Sequence, residues 1–250
     1  MTAIQYLETP QGRRIAYHKT DGAGPCIVFL GGLKSDMQGT KAIYLEDWAR
    51  DNGRAFLRFD YSGHGQSSGT FEQGCIGDWA ADTRAAVAAL TVGPLVVVGS
   101  SMGGWQALLL ARAIPDRIAG MVTIAAAPDF TEDGYWASFS DDQKQALEQV
   151  GQVELPSDYM EPYVITKRMI EDGRQQLVLR APLSLPFPVR CLQGTDDTVV
   201  STETALRLLD HADCPDMRLT LVKRTDHRFS DGPCLGMIRD AIQDVLKGDG

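Results

Sequence analysis

A chain of 250 residues with 44% hydrophobic side chains carries enough apolar material for one sizeable core, and its length suits a single domain. A formal charge of -9 with no basic tract argues against nucleic acid or an anionic membrane surface as a partner, and no stretch approaches membrane-spanning length. Five cysteines, at 26, 75, 191, 214 and 234, show neither metal-ligand nor disulfide spacing; the opening residues Met1-Thr2-Ala3-Ile4-Gln5-Tyr6 have no basic start and no apolar signal core, so the default compartment is cytoplasmic.

In chain order, residues near 4–8 and 13–18 read as an antiparallel hairpin turning at Thr9-Pro10-Gln11-Gly12, at a sheet edge. Cys26-Ile27-Val28-Phe29-Leu30 is a buried strand that ends in Gly31-Gly32-Leu33-Lys34-Ser35-Asp36. A helix is expected near 39–52, with Ile43, Leu45, Trp48 and Ala49 apolar and Gly53 ending it. Ala55–Asp60 is the next strand, followed by the glycine-rich turn Tyr61-Ser62-Gly63-His64-Gly65-Gln66-Ser67. An alanine-rich helix over 78–90 leads to the strand Leu95-Val96-Val97-Val98, and Ala119–Ala125 supplies another. Strands alternating with helices at this spacing predict a mostly parallel sheet with helices on both faces.

The strand at 95–98 stops at Gly99-Ser100-Ser101-Met102-Gly103, and a helical pattern follows at once from Trp105. Gly-x-Ser-x-Gly between a buried strand and a helix is a nucleophile elbow: a turn so sharp that the central serine stands clear on a strained backbone. Ser101 then sits at a helix N-terminus, where free N–H groups and the helix dipole favour developing negative charge. In such an architecture the oxyanion donors are the N–H after the nucleophile, Met102, and one from the loop after the earlier strand, assigned to Leu33.

From about Pro128 to Pro186 the rhythm breaks over a span too long for a connecting loop. Ser140-Asp141-Asp142-Gln143 is a capping-box start for a helix ending near Gly151, and Pro162–Gly173 reads as a second helix with proline in its first turn. Residues 129–186 are therefore expected to form a small helical lid inserted into a core made of 1–128 and 187–250. The lid holds eleven acidic and five basic residues, a concentration that predicts discrimination against highly anionic substrates such as free acyl-CoA unless the charges are merely solvated.

Phe187–Gln193 restarts the sheet and ends in Gly194-Thr195-Asp196-Asp197-Thr198-Val199-Val200, where Asp196 and Asp197 both qualify as the acid that orients a catalytic histidine. Ser201-Thr202 caps a helix to about His211, Met217–Val222 is a final strand, and a C-terminal helix follows over about 234–247. Of the four histidines, His227 alone lies between that last strand and the last helix, so the order Ser101, acid, His227 is that of a serine hydrolase. His64 precedes the nucleophile and is expected to be structural.

With these residues in place the chain resembles the α/β-hydrolase superfamily over almost its whole length. Gly32-Leu33-Lys34-Ser35-Asp36-Met37-Gln38-Gly39-Thr40-Lys41-Ala42, Arg58-Phe59-Asp60-Tyr61-Ser62-Gly63 and Asp226-His227-Arg228 are similar to one branch, which contains a mycophenolic acid acyl-glucuronide esterase and palmitoyl-protein thioesterase. The resemblance implies an α/β-hydrolase fold with a mostly parallel eight-stranded sheet, and it favours Asp197 over Asp196 in a Ser101–Asp197–His227 triad. It further implies hydrolysis of a small-molecule or protein-linked acyl ester or thioester through an acyl-enzyme, with no cofactor and no metal. Acyl transfer, peptide hydrolysis and a ligand-binding receptor of the same fold are the alternatives.

Overall fold

Side chains on the central strands alternate between two separate apolar clusters, as the period of a strand sandwiched between helices demands. Cys26, Val28 and Leu30 face one cluster while Ile27 and Phe29 face the other, and Leu95 and Val97 oppose Val96 and Val98 in the same way. The computed structural model describes residues 4–155 and 162–247. Met1–Ala3, part of the opening stretch on which the cytoplasmic expectation rests, and residues 156–161 of the expected lid lie outside the described residues.

The main sheet has eight strands: β1 (Gln5–Glu8), β2 (Arg14–Thr20), β3 (Ala23–Leu30), β4 (Arg54–Phe59), β5 (Leu95–Ser100), β6 (Ile118–Ile124), β10 (Val189–Gly194) and β12 (Met217–Val222). Their order across the sheet is β1-β2-β4-β3-β5-β6-β10-β12. Only β2 runs against its neighbours; every other pairing is parallel. Helices α1 (Thr40–Asp51) and α7 (Gly232–Leu246) cover one face, where Leu45, Ala49, Ile238, Ile242 and Val245 are buried. Helices α2 (Ile76–Leu90), α3 (Met102–Ala113) and α6 (Thr202–His211) cover the other, with Trp79, Trp105 and Leu208 inside it. Burying a side chain as large as Trp79 or Trp105 completely stabilises the fold by about 3 kcal/mol or more. Among the described residues no helix is long and apolar enough to cross a membrane.

Adjacent strands β6 and β10 are separated in sequence by the segment expected to form the lid. Its α4 (Asp141–Val150) starts at the foreseen capping box, Ser140 Oγ accepting from Gln143 N and Gln143 Oε1 from Ser140 N. The second helix is a correction. Tyr163–Thr166 is not helical but a strand, β8, antiparallel to β7 (Gln152–Leu155), and α5 runs only over Lys167–Gln175. The aromatic and β-branched run Tyr163-Val164-Ile165-Thr166 prefers the pleat, and the true N-cap is Thr166, whose hydroxyl accepts from Met169 N at 3.1 Å. Gly173 lies inside α5 rather than beyond it, pressed against Thr131, where a Cβ would sit 2.1 Å from the threonine Oγ1. The two-residue strands β9 (Leu183–Ser184) and β11 (Ala212–Asp213) pair where the segment returns to the core. Nearby, the half-buried His211 has its Nε2 2.8 Å from Ala181 O.

Both ends of the segment meet at one side chain. Asp129, fully buried, accepts from Val178 N at 2.8 Å, Leu179 N at 3.1 Å and Arg180 Nη1 at 2.7 Å. The rest is fastened to the core by Trp105 Nε1 donating to Gln176 O, Arg112 to Leu177 O, and Asp172 accepting from Gly77 N at the start of α2.

Candidate active site

The turn between β5 and α3 places Ser101 at φ 55, ψ -119, a conformation that a residue with a Cβ adopts only when its surroundings enforce it. The enforcement is close packing. A Cβ on Gly99 would lie 2.3 Å from Gly103 O, and one on Gly103 would lie 2.0 Å from Leu30 O. Backbone bonds complete the turn: Ser101 N donates to Ile124 O, while Ser101 O accepts from Gly104 N and Ala127 N.

Ser101 Oγ is 3.0 Å from His227 Nε2, and His227 Nδ1 is 2.8 Å from Asp197 Oδ2. An ionised carboxylate only accepts, so Nδ1 carries the proton and Nε2 presents its lone pair to the serine hydroxyl. Asp197 is sealed from solvent while His227 keeps 24% of its side chain exposed. Burial works to raise the Asp197 pKa, but hydrogen bonds from His227 and from the Val200 and Val199 N–H groups outweigh it and hold the carboxyl below its ordinary range. Of the two candidate acids, Asp196 is exposed and, among the described residues, accepts only from the neighbouring Thr195 hydroxyl. The structure thus brings together Ser101, Asp197 and His227.

The acid turn and the histidine loop approach closely because Gly194 has no side chain: a Cβ there would meet Thr225 O at 2.1 Å. Asp196 N then donates to Thr225 O and Arg224 N to Thr195 Oγ1. Phe229, buried at φ 47, anchors the far side of the loop, and Lys41 Nζ donates to Arg228 O at 2.5 Å.

The loop carrying Leu33 lies against Ser101, since a Cβ on the preceding Gly32 would be 3.3 Å from Ser101 Cβ. Met102 is the first residue of α3, so its N–H has no carbonyl partner within the helix. The loop is braced by the sequence Arg58–Tyr61, a role the sequence reading did not find. Arg58 donates to Met37 O at 2.6 Å, Asp60 accepts from Met37 N at 2.6 Å, and the Tyr61 hydroxyl donates to Gly31 O at 3.3 Å. Lys34 is exposed, with its ammonium 4.8 Å from the Phe71 ring centre and 5.0 Å from that of Tyr163, so it links this loop to β8. His64 is buried among Tyr61, Phe71 and Trp79, and burial lowers its pKa, which favours the neutral ring.

Part of the acidity of the inserted segment is met by ion pairs. Glu132 pairs with Arg174, Glu148 and Glu171 with Lys167, and Asp133 with both Arg180 and Arg207. A hollow of about 220 Å³ lies between the root of this segment and the acid turn, walled by Pro128, Phe130, Leu179, Val199 and Val200, with Arg207 at its edge.

The family model for the alpha/beta hydrolase fold matches residues 30–159. The chain belongs to the α/β-hydrolase family, and it is an enzyme of the hydrolase class. Within the family it is similar to palmitoyl-protein thioesterase ABHD10, mitochondrial, of Rattus norvegicus, at 32% identity over 98% of this chain and 83% of that protein. The same protein from Homo sapiens is 32% identical over 98% of this chain and 80% of its own length. Among solved structures, a chain from Agrobacterium vitis S4 named as a hydrolase superposes with a TM-score of 0.94 at 36% identity, covering 98% of each chain. Mouse alpha/beta hydrolase domain-containing protein 10 superposes with a TM-score of 0.92 at 29% identity over the full length of both. The names of the ABHD10 relatives place them in mitochondria, so they lend no support to a cytoplasmic location.

Proposed function

We propose that the protein is a serine hydrolase that cleaves carboxylic esters or thioesters through an acyl-enzyme, with Ser101, His227 and Asp197 as its triad. The observation that carries this reading is the unbroken chain of contacts from Ser101 Oγ to His227 to the buried Asp197 carboxylate, on a serine held at φ 55. His227 takes the proton of Ser101 as the hydroxyl attacks the acyl carbonyl, and Asp197 stabilises the imidazolium that results. The Leu33 and Met102 N–H groups receive the oxyanion; losing one such donor typically costs on the order of 100- to 1,000-fold in turnover. His227 then gives its proton to the departing alkoxide or thiolate and activates a water that releases the acid.

Residues 129–186 act as a lid, and the apolar wall of Pro128, Phe130, Leu179, Val199 and Val200 beside the acid turn offers room for part of an acyl group. Relatives named as palmitoyl-protein thioesterases favour acyl thioesters, including protein-linked ones, as the substrate class. The partial exposure of His227 favours hydrolysis over acyl transfer, because water has direct access to the base. The test is turnover of matched acyl ester and acyl thioester series, short to long, by wild type and Ser101→Ala. Loss of roughly a millionfold in kcat is expected in the variant, as for other triad serines. Equal turnover by both proteins would remove the mechanism.

A further inference from the structure

Gln193, the residue before the last of β10, is 1% exposed and makes contacts that packing alone does not call for. Its Nε2 lies 3.0 Å from Asp197 Oδ2, 2.9 Å from Val200 O and 3.2 Å from Gly194 O. All three are acceptors, which fixes the orientation of the amide: turned over, its oxygen would face three oxygens. In that orientation Oε1 is buried with no hydrogen-bond partner among the described residues. An apolar side chain of the same length would leave no orphaned carbonyl, so the core gains nothing from the amide at that end. What the amide supplies is its N–H donors, and they go to the acid turn.

We propose that Gln193 is a positioning residue for the hydrolytic site, holding the Asp197 carboxylate in the orientation that serves His227 and sharing the charge of the oxygen that receives the imidazole N–H. This rests on the triad reading above. Every lone-pair direction of the carboxylate is then occupied: Oδ1 accepts from Val199 N and Val200 N, both at 2.8 Å, and Oδ2 accepts from His227 Nδ1 and Gln193 Nε2. Because the same amide also holds Val200 O, it clamps the turn through its backbone as well as through its carboxylate. Without it, Oδ2 keeps a single partner, the carboxylate gains freedom to rotate, and more of its negative charge falls on His227.

Two variants of the full-length enzyme test this, assayed with a short p-nitrophenyl ester across the pH range and checked by thermal unfolding. Gln193→Met keeps the length and removes the donors. A fall in kcat of roughly 10- to 100-fold is expected, with KM within about twofold, as for loss of a hydrogen bond to a charged group behind the reacting residues. The acid limb of its kcat/KM profile should move to higher pH by roughly half a unit to one unit, since a less shared carboxylate favours the imidazolium. The other charged groups around the site, Asp196, Asp226, Arg224 and Arg228 on the two loops and Asp133 and Arg207 at the edge of the hollow, are unchanged in the variant.

Gln193→Glu supplies an O–H donor only while protonated, so its profile should become bell-shaped, with activity lost as that proton leaves. Should Gln193→Met fail to fold, the Gln193→Glu profile decides. Wild-type kcat and pH profile in Gln193→Met would overturn the proposal. So would a loss of activity that tracks a lowered melting temperature with the profile unmoved, or an unaltered alkaline side in Gln193→Glu. Absence of Ser101-dependent turnover in the wild type would instead overturn the triad reading itself, and the Ser101→Ala control separates that outcome from the others.

Discussion

Asp129→Ala is the substitution whose cost follows most directly from the contacts at the root of the insertion. The carboxylate is fully buried and accepts two backbone N–H bonds, from Val178 and Leu179, and one from the Arg180 guanidinium. Truncation leaves two buried N–H groups without acceptors, at about 1–3 kcal/mol each, and removes a carboxylate that tolerates the backbone at this position, φ 58, better than alanine does. The two N–H groups alone make about 2–6 kcal/mol, a range centred on the 3–5 kcal/mol that breaking a buried, hydrogen-bonded charge usually costs, and about 3–5 kcal/mol is expected here. For a chain of this size each kcal/mol lowers Tm by about 2–4 °C, so Tm should fall by about 6–20 °C. Arg180→Ala is the control: the arginine is 38% exposed and its ion pairs are worth about 1 kcal/mol or less after solvent screening. Thermal unfolding read by circular dichroism, with limited proteolysis in parallel, measures both variants. An Asp129→Ala protein that melts within about 2 °C of wild type, or no lower than Arg180→Ala, would refute the assignment of the stabilisation to the backbone N–H bonds.

Three further outcomes are expected. Asp197→Asn should lose about 10,000-fold in kcat, because an amide in place of the acceptor favours the wrong imidazole tautomer, whereas Asp196→Asn should stay within about twofold; steady-state kinetics distinguish them. Burial pushes the thiols of Cys26, Cys191 and Cys234 up to about 11 and that of Cys75 up to about 12, and raises Cys214 as well. Since a raised pKa leaves almost no thiolate at neutral pH, iodoacetamide should leave activity unchanged in the folded enzyme and label all five cysteines after unfolding, as intact-mass measurement will read. A Lys34→Met, Tyr163→Leu double-mutant cycle should give a coupling of about 0.5–1 kcal/mol for the cation lying against the ring; a coupling of zero would mean that β8 is not tied to the loop after β3 this way.

Ser101 and His227 were legible in the sequence because each is marked by local chemistry: glycines forced by a close turn in one case, position between the last strand and last helix in the other. Asp196 and Asp197 differ by one residue in a turn, and only the direction of each side chain separates them. Gln193 left no trace, since its contact with Asp197 arises from the way the turn folds back on the strand end. The hairpin of β7 and β8 was hidden because Pro162 mimics a helix start, while the preference of Val164, Ile165 and Thr166 for extended backbone is realised only through pairing with Gln152–Leu155. The partners of the insertion's acids were illegible for a related reason. Its acids find partners such as Arg207 and Gly77 N that lie far away in sequence, and no window of residues reveals a partner supplied by folding.

The meeting of both ends of the insertion at Asp129 has a bearing on how such enzymes diversify. About fifty residues leave and return at a single carboxylate, and the chain between is fastened to the core again at Gly77 N, Trp105 and Arg112. Closing a loop costs only about 0.6 kcal/mol more for each doubling of its length, so a change of length alone penalises the scaffold little, provided the apolar cover that Phe139, Leu147, Met169 and Ile170 give the core is kept. Length can therefore change at the outer turns of this one segment while the geometry around Ser101 stays as it is.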